Sequence, residues 1–442
     1  MKTLKGILSI IMVLLMIISC NNSETKNSKD PFMAWANTNA SVIKTLELTE
    51  NLKDLEQLKQ IVGNARLVCL GESRHDIHEQ FQLKHRFIKY LVEELDFTVF
   101  ILEASLPYTS LINEYILTGE GNINEIMANM PGWFIWDTQE ILNIISWMRN
   151  YNEKPENEKK IQFHGIDITA PVYGLNSIFD YLKKVDPAIL NKFQEKSFGQ
   201  DIIDDNYWPN TFEGYSALSS EKKEILKNNY NELFEQIKHN KTGYISNSTE
   251  KEYSWILRLA YSIKEANRMF SANNSMEKGL IRDSTMANNT MWIINSLLKN
   301  EKTIIWAHNV HITKSEFKMT GEVESIQGMG YILSQKLKNN MVSIGASFNQ
   351  GNYNEWNRSF APAQEKTIDG SIAKLNKKFL LLNLKGETDN EEVKNWLNTN
   401  NVILGQDFEM ICIPIKSFDA IYYVDKISRT IPNQESLNRF RN

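Results

Sequence analysis

Cysteine is scarce, with three residues in 442, too few for the dense disulfide framework of a small secreted scaffold. Beyond Cys20, only Cys69 and Cys412 remain, expected as buried free thiols, with a single disulfide between them as the alternative in an exported protein. No block of lysine and arginine occurs, and the formal net charge is -5. Without a basic surface to neutralise phosphates, no nucleic-acid partner is expected. There is no Gly-x-Ser-x-Gly elbow, and Cys69 sits inside a strand-like run, which disfavours covalent serine or cysteine catalysis. A His-Glu-x-x-His helix is missing too. Neither an internal repeat nor a Pro/Gly/Ser-rich linker divides the chain. What is present, 42% hydrophobic and 23% charged residues, is the composition of a globular protein long enough for one large domain.

The N-terminus reads as a targeting segment. Lys2 and Lys5 precede an apolar run over 7–18, too short to span a bilayer as a mature helix. It closes on Ile17-Ile18-Ser19-Cys20, which resembles a bacterial lipobox. Residues 1–20 are therefore expected to be a lipoprotein signal peptide with Cys20 as the lipid attachment point. Residues 21–34 are expected to be a flexible tether and 35–442 the folded domain. The expected location is the cell envelope, on the periplasmic or outer-membrane surface, with the membrane contacted through the lipid.

Apolar runs of strand length, rich in β-branched and aromatic residues, recur at 66–70, 97–102, 160–166, 303–307, 342–346, 379–384 and 410–415. Helical periodicity fills stretches between them, notably 79–95, 139–150 and 286–299. Continuous apolar strands alternating with helices predict an α/β fold, a mostly parallel β-sheet flanked by helices on both faces. From 173 to 283 the pattern turns to Lys, Glu and Asn with helically spaced Leu and Ile, which predicts a helical insertion packed on that core, preferred over a separate all-helical domain because no linker isolates it.

In open α/β sheets, ligands bind beyond the carboxyl ends of the strands. The first strand runs into Gly71-Glu72-Ser73-Arg74-His75-Asp76-Ile77-His78-Glu79. Others end at Glu103, at Asp167 and at His308-Asn309-Val310-His311. Single polar residues after strands are often only helix caps, and Ser73 and Asp76 fit that reading. Four of the seven histidines, however, cluster in two of these loops. A neutral imidazole beside carboxylates can take a proton from water, the carboxylate fixing its tautomer and stabilising the imidazolium. His75 is the candidate base. Glu72, Glu103 and His308 are its candidate catalytic partners, and Arg74, Lys84 or His308 are candidates to stabilise an oxyanion. Lys84 and His311, with Trp133 and Trp136 in an aromatic loop after Pro131-Gly132, are candidate substrate-binding residues. No cofactor is expected. Glu72, His75, His78, Glu79, Glu103 and His308 nevertheless offer ligand types that suit a divalent metal, so a metal-dependent, peptidase-like hydrolase is the alternative. A lipoprotein that binds a ligand such as haem without turnover is a third reading.

Gly71-Glu72-x-x-His75-x-x-x-Glu79, with Leu83-Lys84-His85-Arg86 and Glu103, resembles the signature of the erythromycin esterase family. So do Trp136-Asp137-Thr138-Gln139-Glu140, Trp147 to Asn152, Gly165-Ile166-Asp167, Arg282-Asp283 with Met286-Ala287, and Ala307 to His311. Ile413-Pro414, Phe418-Asp419-Ala420 and Val424-Asp425 extend the likeness almost to the C-terminus. The resemblance implies an α/β core related to the Tiki-type peptidases and a small-molecule ester or lactone substrate, since well-known members open macrolide rings. It further implies His75 as the water-activating base, Glu72 and Glu103 as active-site carboxylates, Lys84 as the family's basic residue, and His308 and His311 as its second histidine cluster. Asp76 stands where many members carry glycine, and a carboxylate there is expected to raise the base's pKa or reshape the pocket.

Overall fold

The computed structural model describes residues 30–49, 51–130, 135–353, 358–405 and 408–434. Cys20 and Trp133, both singled out above, lie outside them. The strands are β1 (Ala40–Val42), β2 (Leu67–Leu70), β3 (Phe97–Ser105), β4 (Gln162–Asp167), β5 (Lys302–Trp306), β6 (Lys318–Met319), β7 (Met341–Tyr353), β8 (Arg358–Phe360), β9 (Phe379–Asn383), β10 (Asn401–Leu404), β11 (Glu409–Cys412) and β12 (Ala420–Ile427).

Among the described residues, nine strands form one sheet in the order β1-β9-β12-β7-β2-β5-β3-β4, with β8 paired to β7. The six strands from β12 to β4 run parallel, whereas β9, β1 and β8 are antiparallel additions. The fold is α/β, as the sequence predicted. Strand side chains alternate between faces, and here both faces are dry. Val68 and Leu70 of β2 join one apolar core, with Phe81 and Leu83 of the helix His78–Leu95 and Ile141 and Ile144 of the helix Gln139–Glu153. Leu67 and Cys69 enter the other, with Met286 of the helix Ser275–Trp292 and Leu333. Burial on both sides explains why these strands read as unbroken apolar runs. Cys69 and Cys412 are free and buried.

Three details depart from the sequence reading. The run 410–415 ends as a strand at Cys412, because Pro414 opens a short helix, Pro414–Ser417. It pairs in a separate sheet, β10-β11-β6. Strand β12, central and buried, was not foreseen. Residues 31–34 are not tether. Asp30 caps the helix Pro31–Asn39, accepting from Phe32 N and Met33 N, and Phe32 and Trp35 pack on Trp396. From Val172 to Trp292 the described elements are all helical, with their own apolar clusters around Leu175, Tyr230 and Ile256 and around Tyr215 and Phe270.

Candidate active site

Strands β2, β5, β3 and β4 are consecutive neighbours, so their carboxyl ends open onto one edge of the sheet. A cleft of about 620 Å³ sits there, within the size range of small-molecule sites. His75, Glu103, Asp167, His308 and His311 line it, joined by Arg282 from the helix Ser275–Trp292. Apolar side chains line it as well, among them Met130, Ile135, Trp136, Phe212, Met269 and Phe408.

The turn after β2 is wedged. Gly71 N donates to Ile344 O (2.8 Å) and Gly71 O accepts from the Tyr422 hydroxyl (2.6 Å). A Cβ at Gly71 would overlap Asn309 Oδ1, so glycine is required for this close approach. Beyond it, Glu72 is fully buried. Glu72 Oε1 lies 2.5 Å from His75 Nδ1, while Oε2 accepts from Lys84 Nζ (2.6 Å) and Trp306 Nε1 (2.6 Å). Burial opposes the Glu72 charge, but Lys84 and His75 outweigh it and hold the carboxyl below its usual range. As an acceptor, Glu72 draws the His75 proton to Nδ1 and leaves Nε2 as a bare acceptor in the cleft. Burial disfavours the imidazolium at His75, yet Glu72 and then Glu103 raise its pKa above the ordinary value. The ring is braced edge-on against Trp136, with centroids 5.4 Å apart.

A second network surrounds Glu103. Its Oε1 accepts from Arg282 Nη2 (2.8 Å) and lies 3.2 Å from His311 Nε2, and its Oε2 accepts from the His308 backbone N–H (2.8 Å). Arg282 also donates from Nε and Nη2 to Asp167 (3.0 and 2.8 Å). His311 Nδ1 lies 2.7 Å from Asp283 Oδ1. Burial opposes charge on His311, but Asp283 and Glu103 push its pKa up to about 10. His311 is therefore a cation at neutral pH. Gly165 in β4 allows this packing, because a Cβ there would overlap Ala104 O and Ser105 O of β3.

Several expected residues stand elsewhere. Arg74 does not line the cleft. It is buried, its Nε 3.0 Å from Asp76 Oδ1 and its guanidinium 4.9 Å from the Phe360 ring centre. Asp76 turns its carboxylate to that guanidinium, and the carboxylates that act most on His75 are Glu72 and Glu103. Lys84 lies behind Glu72, fully buried, with its ammonium 3.5 Å from the Trp306 ring centre. Burial lowers its pKa to about 7 against the pull of Glu72, and substrate does not reach it. His308 lines the cleft, but its Nε2–H donates to Ser73 O (2.8 Å) and its Nδ1 accepts from Val310 N (3.3 Å). Burial, then the neighbouring His75, lowers its pKa to about 3, so it is a neutral brace with no proton to offer an oxyanion. Of the suggested metal ligands, His78 is bound to Glu140 (2.5 Å) and Glu79 to Ser428. Both stand outside the cleft. Trp136 and His311 do line it. Arg282 was overlooked as a site residue. Its only signal was the Arg282-Asp283 pair, because helical periodicity does not say which strand end a helix faces.

This arrangement can take up a proton at His75 Nε2 beside a fixed guanidinium. With Lys84 protonated, four carboxylates (Glu72, Glu103, Asp167, Asp283) face three cations (Lys84, Arg282, His311), so protonating His75 cancels the remaining negative charge.

The chain is similar to several known proteins. The family model described as erythromycin esterase matches residues 92–427. The Bacillus subtilis (strain 168) protein YbfO, a hydrolase by name, is 26% identical, with 86% of this chain and 87% of YbfO covered. Erythromycin esterase type II of Escherichia coli is 24% identical, over 90% of this chain and 98% of that one. Among solved structures, a Bacillus cereus protein superposes with a TM-score of 0.77 at 26% identity, covering 91% of this chain and 98% of its own. An erythromycin esterase mutant, EreC in its open conformation, shares the fold with a TM-score of 0.72 at 18% identity, covering 88% and 98%. With a family model spanning most of the folded residues and relatives aligned over most of the chain, this chain belongs to the erythromycin esterase family of hydrolases.

Proposed function

We propose that this hydrolase cleaves an ester or lactone bond with water activated by His75. The observation that carries the reading is the 2.5 Å contact between His75 Nδ1 and Glu72 Oε1, which leaves Nε2 in the cleft as the basic atom. Water attacks the carbonyl carbon as one of its protons passes to Nε2, and the carbonyl electrons move onto oxygen. Arg282, one quarter exposed and pinned by Glu103 and Asp167, is the cation for that oxyanion. Collapse of the tetrahedral intermediate breaks the C–O bond. The proton on Nε2 goes to the departing alkoxide, giving an acid and an alcohol, or one hydroxy acid from a lactone.

The apolar side chains lining the cleft suit a bulky substrate, and the name of the Escherichia coli relative supports a macrocyclic lactone. The test is incubation of the purified protein with macrolides and simple esters, followed by mass spectrometry. Addition of one water to a macrolide supports the reading. Addition only to simple esters removes the macrolide, and addition to none removes the esterase. The lipobox-like Ile17-Ile18-Ser19-Cys20 supports, separately, an enzyme of the cell envelope anchored through Cys20. Cys20→Ser is expected to lose labelling by a fatty-acid probe in cells and to leave the membrane fraction, and unchanged labelling would refute the anchor.

A further inference from the structure

A second cavity lies among the helices between Val172 and Trp292, and its described lining residues do not overlap with those of the catalytic cleft. It measures about 610 Å³, again within the range of small-molecule sites. Three helices frame it, Ser220–His239, Glu250–Ser271 and Ser275–Trp292. On the middle one, Ser254, Leu257, Arg258 and Tyr261 recur at helical spacing, a single face turned to the cavity. The third helix runs into a π-helical turn, Ile293–Leu297, which adds Asn295 and Ser296 to the lining. Such turns are frequent at functional sites.

Among the described residues, no Asp or Glu lines this cavity, whereas Arg258 and Lys238 do. Lys238 is half exposed and already paired with Glu235 (3.2 Å). Arg258 is partly buried and forms no ion pair among the described residues. Its guanidinium lies 4.9 Å from the Tyr261 ring centre and 5.2 Å from that of Trp292. Those rings attract the cation through their faces but accept nothing from its N–H edges. One N–H of Nη1 reaches Asn289 Oδ1 at 3.4 Å, an oxygen that also accepts from the Ser262 hydroxyl (3.1 Å). Nε and Nη2 have no acceptor among the described residues, and unlike the Nε of Arg66 and Arg86 they are not sealed. Burial lowers the Arg258 pKa to about 10, with Tyr261 opposing it and no carboxylate doing so. A desolvated charge without a counter-charge is costly.

The free edge has the form of one that is occupied in the same chain. Arg282 grips Asp167 through Nε and Nη2, at 3.0 and 2.8 Å, and these are the two donors left over at Arg258. We propose that the second cavity binds an oxyanion on a flat aromatic body, a carboxylate or a monophosphate, with two of its oxygens on the Nε and Nη2 edge of Arg258. Parallel donors on one planar edge match two oxygens of one group. Phe234, Leu257, Met291 and Trp292 line the cavity as apolar surface for the ring. A neutral amide would leave the guanidinium charge unmatched.

Nothing here depends on hydrolysis, and the test is one of binding alone. Naphthoate, naphthyl phosphate and neutral naphthamide are titrated into the full protein by isothermal calorimetry, with Arg258→Gln and Ser254→Glu as variants and a thermal melt to check the fold. Ser254→Glu keeps Arg258 and its ring contacts but sets a carboxylate one helical turn before it, where a Glu pairs with the residue four places on. At least one of the anions should bind wild type about tenfold or more tightly than the amide, and the tighter anion tells carboxylate from phosphate. Its affinity should fall about tenfold or more in each folded variant. Affinity for both anions no greater than for the amide overturns the proposal. So does unchanged affinity in folded Arg258→Gln, the result expected of an anion held by Arg282 in the catalytic cleft. If Arg258→Gln does not fold, Ser254→Glu decides, and unchanged affinity there overturns the proposal.

Discussion

One carboxylate of Glu72 does two jobs. Its Oε1 accepts a hydrogen bond from His75 Nδ1–H across 2.5 Å while Oε2 is held by Lys84 and Trp306, each at 2.6 Å. The base is thus oriented by a group that is itself immobilised, the arrangement on which general-base catalysis by histidine depends.

The pH profile should follow from that contact. Only neutral His75 accepts a proton, and its pKa is raised above 6.5. kcat/KM is therefore expected to climb with pH through an inflection above 6.5 and then level off. Glu72→Gln should lower kcat by about a hundredfold or more and move the inflection down, because burial then acts on the imidazolium without its counter-charge. An inflection that stays in place would contradict the pairing.

Asp76→Gly removes the carboxylate next to the base in the chain. Because Asp76 is turned to Arg74, the inflection in kcat/KM should stay where it is in wild type. A downward shift, read in the same pH series, would show that the Asp76 charge reaches the base after all.

Arg282 is expected to act on the transition state more than on binding. Arg282→Lys keeps a cation between Glu103 and Asp167 but loses the planar fork. The expected result is a fall in kcat of about 10²–10³-fold with KM little changed, measured by steady-state kinetics on the folded variant. Unchanged kcat would remove Arg282 from the oxyanion role.

His311 gives a stability prediction with a definite sign. Its pKa is raised to about 10 from about 6.5 in an unfolded chain. Its contribution is fully present below pH 6.5 and is lost as pH rises through 10. The Tm gap between wild type and His311→Gln should therefore narrow from pH 6.5 to pH 10.5. A gap independent of pH would mean that His311 is neutral in the fold.

Chelation should have no effect. His75 Nδ1, both nitrogens of His308 and both oxygens of Glu103 are committed to protein partners. Turnover after dialysis against a chelator should equal that before it. Loss of activity restored by a stoichiometric divalent metal would favour the metallohydrolase.

Much of the site could be read before the structure because parallel strands place their carboxyl ends together. Once 66–70, 97–102, 160–166 and 303–307 were strands, Glu72, His75, Glu103, Asp167 and His308 had to share an edge. What stayed hidden was direction. Arg74 and His75 are adjacent in one turn, yet one side chain enters the cleft and the other turns to Asp76 and Phe360. Lys84 lies on the helix His78–Leu95 and points beneath the site. Arg282 comes from the helical stretch, whose docking depends on tertiary contacts rather than on its own periodicity. Strand β12 is different: Ala420 to Val424 is a plain apolar run with paired tyrosines, legible as a strand and passed over as a motif.

The most direct test of His75 as the water-activating base is turnover of the best substrate by His75→Ala, with circular dichroism and a thermal melt to establish that the variant is folded. Loss of hydrolysis by about a thousandfold or more in a folded protein is the expected result. Turnover retained in folded His75→Ala would contradict the mechanism at its centre.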